Sequence, residues 1–185
     1  MTRKQTALYV ARLGLTLFLI TALVAAALAA VNHITAPRIA AEKERKTQEA
    51  IEKVLPGGGT RVDPGRYDNQ DGLVANVYES DTGYAVEVTP SGFDGAITMM
   101  VGVSRDGKVL GISIISHTET AGLGAVAASD TPDGESFRNQ FKGLSGELTV
   151  KKDGGTVDQL SGATITSRGV TRGVTAALKC VAGMG

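Results

Sequence analysis

The longest apolar segment of the chain lies near its N-terminus. Leu13 to Val31 is a run of 19 residues without a charged side chain. As a helix rising about 1.5 Å per residue, the run would span roughly 28 Å, close to the hydrocarbon thickness of a bilayer. A cleaved signal peptide is the alternative, since Ala25 to Ala30 offers small-residue cleavage sites, but the apolar region of such peptides is usually only about 7–15 residues long. The pattern therefore predicts a retained transmembrane helix over residues 13–31.

The charged residues that flank this run predict its orientation. Arg3, Lys4 and Arg12 precede it, and residues 1–12 contain no acid, so residues 1–12 are expected to stay in the cytoplasm. The chain would then be a single-pass protein of the cell (inner) membrane, in contact with lipid. The rest of the chain would lie on the periplasmic or extracellular side, and a cleaved signal peptide would export it as well.

The segment after the apolar run predicts a helix that connects the membrane to a folded domain. Thr35-Ala36-Pro37 is typical of a helix start, with a capping hydroxyl followed by an early proline. Pro56 and the three glycines after it are expected to end the helix. We assign residues 32–56 to this connecting helix and residues 57–185 to the exported domain.

Alternating apolar residues predict a β-sheet in the first half of the domain. Asp106-Gly107 is a typical turn between two strands of a hairpin. The β-branched residues Val109, Ile112 and Ile114 supply a face that can be buried. The predicted strands are Leu73–Glu79, Tyr84–Val88, Ala96–Ser104 and Lys108–Ser116.

The second half of the domain is predicted to be mainly helical. Ile165 to Ala182 has apolar residues at helical spacing, and Ser136 to Phe141 fits one or two amphipathic turns. The Gly- and Ala-rich segment His117 to Ala128 predicts a loop or a short helix, and Leu148 to Val150 a short strand. The predicted fold class is α+β, with a single N-terminal transmembrane helix followed by an antiparallel sheet and packing helices.

Charge and cysteine content exclude several kinds of site. Residues 56–158 carry 15 acidic and 8 basic residues, whereas a nucleic-acid-binding domain would show the opposite balance. Cys180 is the only cysteine, which excludes an intramolecular disulfide and a cysteine-ligated metal or iron–sulfur centre within the chain. We expect Cys180 to be a small buried residue of the last helix. The sequence predicts no metal site and no catalytic residue.

The segment Asp158-Gln159-Leu160-Ser161-Gly162-Ala163-Thr164 has the residue types that a covalently held phosphate requires. Thr164 supplies a hydroxyl, and Gly162 and Ala163 leave little bulk around it. A helix beginning near Thr164 would direct free N–H groups and its dipole towards a phosphate, and Arg168 would add a positive charge. The alternative is structural, because Ser and Thr before a helix are most often N-caps. Spacing alone does not select flavin over any other phosphate.

Two further motifs precede this segment. Gly92-Phe93-Asp94-Gly95-Ala96-Ile97 leads into the predicted hairpin, and His117-Thr118-Glu119-Thr120-Ala121-Gly122-Leu123-Gly124 follows it directly. In this order, and with Ile165-Thr166-Ser167 after Thr164, the three motifs resemble those of the RnfG subunit of the Rnf electron-transport complex. They are similar also to the NqrC subunit of the sodium-pumping NADH:quinone oxidoreductase. With the N-terminal span, the resemblance covers nearly the whole chain, and the short chain favours RnfG.

The resemblance implies an FMN-binding domain in which FMN is bound covalently, through a phosphodiester to Thr164. It also implies a separate flavin transferase that installs the cofactor from FAD and recognises Asp158 and Ser161 to Thr164. Ala121 departs from the family pattern, which often has proline there, and predicts a looser loop without loss of function. The residues implied to contact the cofactor are Thr164, Ser161, Gly162, Ala163, His117, Glu119, Thr120, Gly122, Leu123, Gly124 and Arg168.

The resemblance also suggests roles for the second motif. Leu123 is expected to pack on the isoalloxazine ring, with Gly122 and Gly124 allowing close approach of the backbone. His117 and Glu119 are expected to tune the flavin by hydrogen bonding. Outside this motif, Tyr84 and Phe93 are possible stacking partners, but we expect both in the core.

The implied function is that of an electron relay in a hetero-oligomeric membrane complex. Such a complex couples electron transfer between ferredoxin and NAD to the translocation of Na⁺ or H⁺, with the flavin passing electrons one at a time. This chain has no Gly-x-Gly-x-x-Gly after a strand for NAD and no charged pathway in its single apolar span, so other membrane and peripheral subunits must supply those parts. Two alternatives stay open: the quinone-reductase subunit, and a non-enzymatic anchored binding module in which Ser161 to Thr164 only cap a helix.

Overall fold

The structure, a computed structural model, describes residues 3–69 and 71–184, with side chains from residue 11 onward. The chain has two compact units, residues 1–45 and residues 46–185. The predicted cytoplasmic segment includes Met1 and Thr2, and the predicted exported domain includes Gln70 and Gly185. These four residues lie outside the described part of the chain.

The described residues of the first unit all belong to one helix, α1, which runs from Arg3 to Val54. By length and composition, its segment Ala11–Val54 can cross a membrane, and the most apolar stretch of that segment is not buried in the protein. Two hydroxyl groups inside the apolar run bond back to the helix: Thr16 donates to the carbonyl of Arg12 at 2.7 Å, and Thr21 to that of Leu17 at 3.0 Å. Polar groups satisfied in this way are compatible with a lipid environment.

The predicted start of a second helix at Thr35 is wrong. Thr35 lies inside α1, where its hydroxyl donates to the carbonyl of Val31 at 2.9 Å and does not cap a new helix. Pro37 is also internal to α1. Proline removes one backbone hydrogen bond from a helix, but the Ala-, Glu- and Lys-rich sequence that follows has a high helix propensity, and the helix continues to Val54.

The second unit is built on an antiparallel sheet whose five strands follow one another in chain order. Four of the strands match the predicted ones to within two residues, and Gly107, with φ of +72°, forms the predicted turn of the last hairpin. The edge strand β1 was not predicted. The strands are β1 Thr60–Arg61, β2 Val74–Ser80, β3 Gly83–Val88, β4 Thr98–Ser104 and β5 Val109–Ser116.

Two further helices complete the unit, α2 from Pro132 to Asn139 and α3 from Thr164 to Ala182. With the apolar N-terminal helix, they confirm the predicted α+β class. The predicted strand Leu148–Val150 is reduced to a single bridge between Val150 and Val157, because the chain turns into a short 3₁₀ helix directly afterwards, at Lys151–Asp153.

Both faces of the sheet are covered by helices. Val86 on one face is fully buried in a cluster with Val174 of α3. Ala85 and Met100 on the opposite face are buried with Ile51, in the last turns of α1. Side chains alternate between the faces of a strand, and each fully buried Val or Ile stabilises the fold by roughly 1.5–3 kcal/mol.

Two glycines of α3 allow it to lie close to the connection between β3 and β4. A Cβ at Gly169 would lie 2.5 Å from the carbonyl oxygen of Ser91, and a Cβ at Gly173 would lie 2.6 Å from Cε of Met99. Contacts this short exclude any larger side chain. The N-terminal end of α3 therefore lies beside the loop that begins at Ser91.

Cys180 lies on the buried face of α3, as expected for a small core residue, and is a free thiol. Burial, with a further contribution from the nearby carboxylate of Asp68, raises the pKa of the Cys180 thiol to about 11. The thiolate is the reactive form.

We therefore expect Cys180 in the native protein to react with iodoacetamide at pH 8 at least about 100-fold more slowly than in the unfolded chain, since a shift of about two pKa units lowers the thiolate fraction by this factor. Alkylation followed by mass spectrometry, with and without denaturant, measures the ratio. Equal rates in the two samples would contradict the buried position of Cys180.

Candidate functional site

The fold brings the three sequence motifs together. Gly92 to Ile97 forms the loop between β3 and β4, and His117 to Gly124 follows the end of β5. Asp158 to Ala163 leads into α3, whose first residue is Thr164. These segments are far apart in sequence and meet at one end of the sheet, beside the N-terminus of α3.

Glu119 joins the three motifs through its carboxylate. Oε1 accepts hydrogen bonds from the backbone N–H groups of Phe93, at 2.9 Å, and Asp94, at 3.0 Å. Oε2 accepts a hydrogen bond from the hydroxyl of Thr166 in the first turn of α3. Glu119 and Thr166 are only 7% and 1% exposed, so these bonds are made away from water, where losing a partner is costly. Glu119 is therefore the structural link of the site.

The second motif is also fixed by its own polar groups. The hydroxyl of Thr118 donates to the carbonyl of Asp94 at 3.0 Å. The backbone N–H of Glu119 donates to Nδ1 of His117 at 3.2 Å. His117 thus orients the backbone that carries Glu119, and it is not among the residues that line the cavity beside Thr164.

Thr164 differs from the other hydroxyl residues of α3. Thr166 donates to Glu119, Ser167 to the carbonyl of Ala163, and Thr171 and Thr175 to carbonyls one turn earlier. Thr164 is half-buried, and within the described part of the chain its hydroxyl has no hydrogen-bond partner. It is therefore the one hydroxyl of this helix that remains available for chemistry.

The helix-cap alternative is wrong for Thr164. The N-cap position of α3 is occupied by Ala163, which has no side-chain acceptor, and no side chain caps the helix. Thr164 is the first helical residue, so its hydroxyl does not serve the first turn. The N–H groups of that turn consequently lack a capping side chain, which is the arrangement that attracts an anion.

A cavity of about 380 Å³ opens beside Thr164. Three of the apolar side chains around it are unusually exposed: Phe93 at 68%, Leu123 at 46% and Ile165 at 48%. Exposed apolar side chains that surround a cavity are typical of a binding site. The cavity is lined by Phe93, Glu119, Thr120, Leu123, Gly124, Lys152, Gly162, Ala163, Thr164, Ile165 and Thr166.

Ser161, Gly122 and Asp158 line a second cavity, of about 440 Å³. Leu123 lines both cavities. Gly162 lies against Leu123, since a Cβ on Gly162 would be 3.0 Å from Cδ2 of Leu123, and its φ of +72° favours glycine. The predicted cofactor residues therefore divide between two neighbouring cavities.

Arg168 is placed differently from the prediction. Its guanidinium donates two hydrogen bonds to Asp153, at 2.6 and 2.5 Å, and it lines a separate groove of about 830 Å³. These hydrogen bonds lower the pKa of the Asp153 carboxyl and raise the pKa of Arg168. A charged residue at i+4 can point to either side of a helix, and the acidic partner across the turn determines the side.

Sequence reasoning missed the exposure of Phe93 and the presence of Lys152. Phe93 was expected in the core, whereas Tyr84 does lie there, 8% exposed, with the guanidinium of Arg105 over its ring. The glycines around Phe93 indicated a loop and could have predicted exposure. Nothing in the sequence distinguishes Lys152 from the other lysines, because its position depends on how the 3₁₀ helix at Lys151–Asp153 is held.

Comparison with known proteins identifies the family. A sequence model described as the FMN-binding domain matches residues 92–179, and one described as the RnfG N-terminal region matches residues 2–54. The RnfG subunit of the proton-translocating ferredoxin:NAD⁺ oxidoreductase complex of Clostridium ljungdahlii is 39% identical over 158 residues, which cover 83% of this chain and 82% of that protein. The chain belongs to the RnfG family.

Other members of the RnfG family are similar over comparable lengths. The corresponding subunit of the Na⁺-translocating ferredoxin:NAD⁺ oxidoreductase complex of Acetobacterium woodii is 33% identical, over 88% of this chain and 87% of that protein. Among solved structures, the NqrC subunit of the Na⁺-translocating NADH-quinone reductase of Parabacteroides distasonis is 26% identical, with a TM-score of 0.44 over 58% of this chain and 61% of that one.

The FMN-binding match begins at Gly92 and ends at Lys179. It therefore contains all three motifs, including the Glu119 link and Thr164. Family membership makes this chain an FMN-binding subunit related to those of ion-translocating oxidoreductase complexes.

Proposed function

We propose that this chain carries FMN in a phosphodiester bond to Thr164 and relays electrons within an ion-translocating ferredoxin:NAD⁺ oxidoreductase complex. The observation that carries the proposal is the hydroxyl of Thr164. It has no partner within the described residues, lies at an uncapped helix N-terminus and borders a cavity with exposed apolar walls. A hydroxyl in such a place has no structural task.

Attachment requires a nucleophile and room for a phosphorus centre. Oγ of Thr164 would attack the FMN-side phosphorus of FAD, the bond from this phosphorus to the bridging oxygen would break, and AMP would leave while the hydroxyl proton passes to a base. We assign this catalysis to a separate flavin transferase, because the carboxylate of Glu119, the one acid among the described residues of the cavity lining, is already bound by three hydrogen bonds. Asp158 and Ser161, both exposed, are available for recognition by that enzyme.

The residues present fit an FMN group. The first-turn N–H groups of α3 and the ammonium of Lys152 suit a phosphodiester, while Phe93, Leu123 and Ile165 offer apolar contact to a flat ring. Glu119 holds the loop that carries Phe93 against α3. Bound FMN supplies one- and two-electron redox chemistry, and the protein supplies its position and surroundings.

The membrane placement belongs to the proposal as well. The apolar part of α1 would span the membrane once, with residues 1–12 in the cytoplasm because they contain only basic charges. The FMN domain would then face the periplasm or the cell exterior. A C-terminal alkaline phosphatase fusion tests this orientation: we expect an active fusion, and an inactive one would contradict it.

The relay role is tested on the complex purified from membranes through a tag on this chain. We expect reduced ferredoxin to bleach the absorbance of the flavin attached to this chain, and NAD⁺ to restore it. A flavin that neither donor nor acceptor affects would contradict the relay. Co-purification with quinone-reductase subunits in place of a ferredoxin:NAD⁺ complex would instead support the alternative assignment.

A further inference from the structure

The short 3₁₀ helix Lys151–Asp153 lies close to Thr164 and is held at both ends by ion pairs. Lys151 pairs with Asp158 at 2.7 Å, and Asp153 pairs with Arg168 at 2.5 Å. Asp158 and Arg168 lie on either side of the start of α3, so the two pairs fasten this helix across the segment that contains Thr164.

Lys152, between the two paired residues, has no partner of its own in the described part of the chain. No carboxylate there lies within 4.0 Å of its ammonium, and the carboxylate of its neighbour Asp153 is already bound by two hydrogen bonds from Arg168. Lys152 is the sole basic residue among the described residues that line the cavity of Thr164. The acid in this lining, Glu119, is buried and bound to Phe93, Asp94 and Thr166.

We infer that Lys152 is the ionic partner of the Thr164 phosphodiester, and that Arg168 acts indirectly by keeping Asp153 away from Lys152. The inference rests on the proposed function. A phosphodiester carries one negative charge, and an ammonium next to it forms a charge-assisted hydrogen bond. Lys152 would therefore stabilise both the attached phosphate and the charge that develops on phosphorus during attachment.

The test measures FMN attachment to the full-length protein by a flavin transferase with FAD. We expect Lys152→Gln to lower the initial rate of attachment about tenfold, Lys152→Glu to lower it further, and Lys152→Arg to retain most of the rate, since one charge-assisted hydrogen bond corresponds to about one order of magnitude. Lys142→Gln, at an exposed lysine outside this cavity, is the matched control and should behave as wild type.

A second measurement separates a contact to the phosphate from an effect on transferase docking. The thermal midpoint of the FMN-loaded protein, minus that of the unloaded protein, should be larger for wild type than for Lys152→Gln, and the difference should shrink in high salt because ions screen an exposed charge pair. A merely structural role for Lys152 would shift the loaded and unloaded midpoints equally.

The outcomes distinguish the inference from the function on which it rests. Wild-type protein that acquires no FMN on Thr164 would overturn the proposed function. Wild-type protein that is loaded normally, with Lys152→Gln matching it in both measurements, would overturn the inference alone. Reduced attachment with an unchanged difference in thermal midpoint would also overturn it, since Lys152 would then contact the transferase and not the phosphate.

Discussion

Thr164→Ala is expected to abolish covalently bound flavin while leaving the domain folded. The flavin fluorescence of the protein band after denaturing electrophoresis should disappear, and ferredoxin:NAD⁺ activity of the complex should be lost with it. The free energy of unfolding should change by less than about 0.5 kcal/mol, because the Thr164 hydroxyl makes no hydrogen bond within the described residues and alanine has the higher helix propensity.

The matched control is Thr156→Ala, at an exposed threonine in the loop before the motif. This variant should retain full fluorescence. Thr164→Ser keeps a hydroxyl and should be modified at least in part. Fluorescence that survives denaturation in Thr164→Ala would show that another residue carries the flavin.

Glu119→Ala is expected to cause the largest loss of stability among substitutions at the site. It leaves two backbone N–H groups and the Thr166 hydroxyl without their acceptor in a buried position. Unsatisfied buried partners of a charged group are costly, and we expect the free energy of unfolding to fall by about 3 kcal/mol. Urea titration of the full-length chain, with alkylation of buried Cys180 as the probe of unfolding, measures the change.

Two companion variants make the Glu119 prediction specific. Glu119→Gln retains a carbonyl oxygen for the N–H groups of Phe93 and Asp94, so its effect should be clearly smaller. Glu147→Ala removes an exposed carboxylate whose closest cation, Lys179, is 3.8 Å away, and it should change stability by less than about 0.5 kcal/mol. Equal stability of Glu119→Ala and Glu147→Ala would mean that Glu119 does not join the three motifs.

Local sequence predicted the elements whose stability is local. The four longer strands of the sheet alternate or concentrate β-branched residues, and Asp106-Gly107 fixes the last hairpin, so their positions follow from pattern. The long helix α3 follows from its apolar stripe in the same way.

The elements that were misjudged depend on competition between local signals. Pro37 is as compatible with the first turn of a helix as with the interior of a long one, and the helix-forming sequence around it decided for the interior. The predicted strand at Leu148 found one bridging partner, at Val157, and no ladder, because a strand is stabilised by its neighbours more than by its own sequence.

The site was predictable as a set of motifs but not as an arrangement. Glu119 bonds to Thr166, which is 47 residues away, and to Phe93, which is 26 residues away, and no periodicity encodes such pairs. The same holds for the charged residues: Arg168 was expected at the phosphate from spacing alone, yet Asp153 binds it, and Lys152 lies beside Thr164.

The most direct test of the central claim is the mass of the full-length protein, expressed with and without a flavin transferase, followed by peptide mapping. The account predicts a gain equal to FMN minus one water in the co-expressed sample only, located on the peptide that contains Thr164. A folded protein with the unmodified mass in both samples, or a flavin mapped to a different residue, would contradict it.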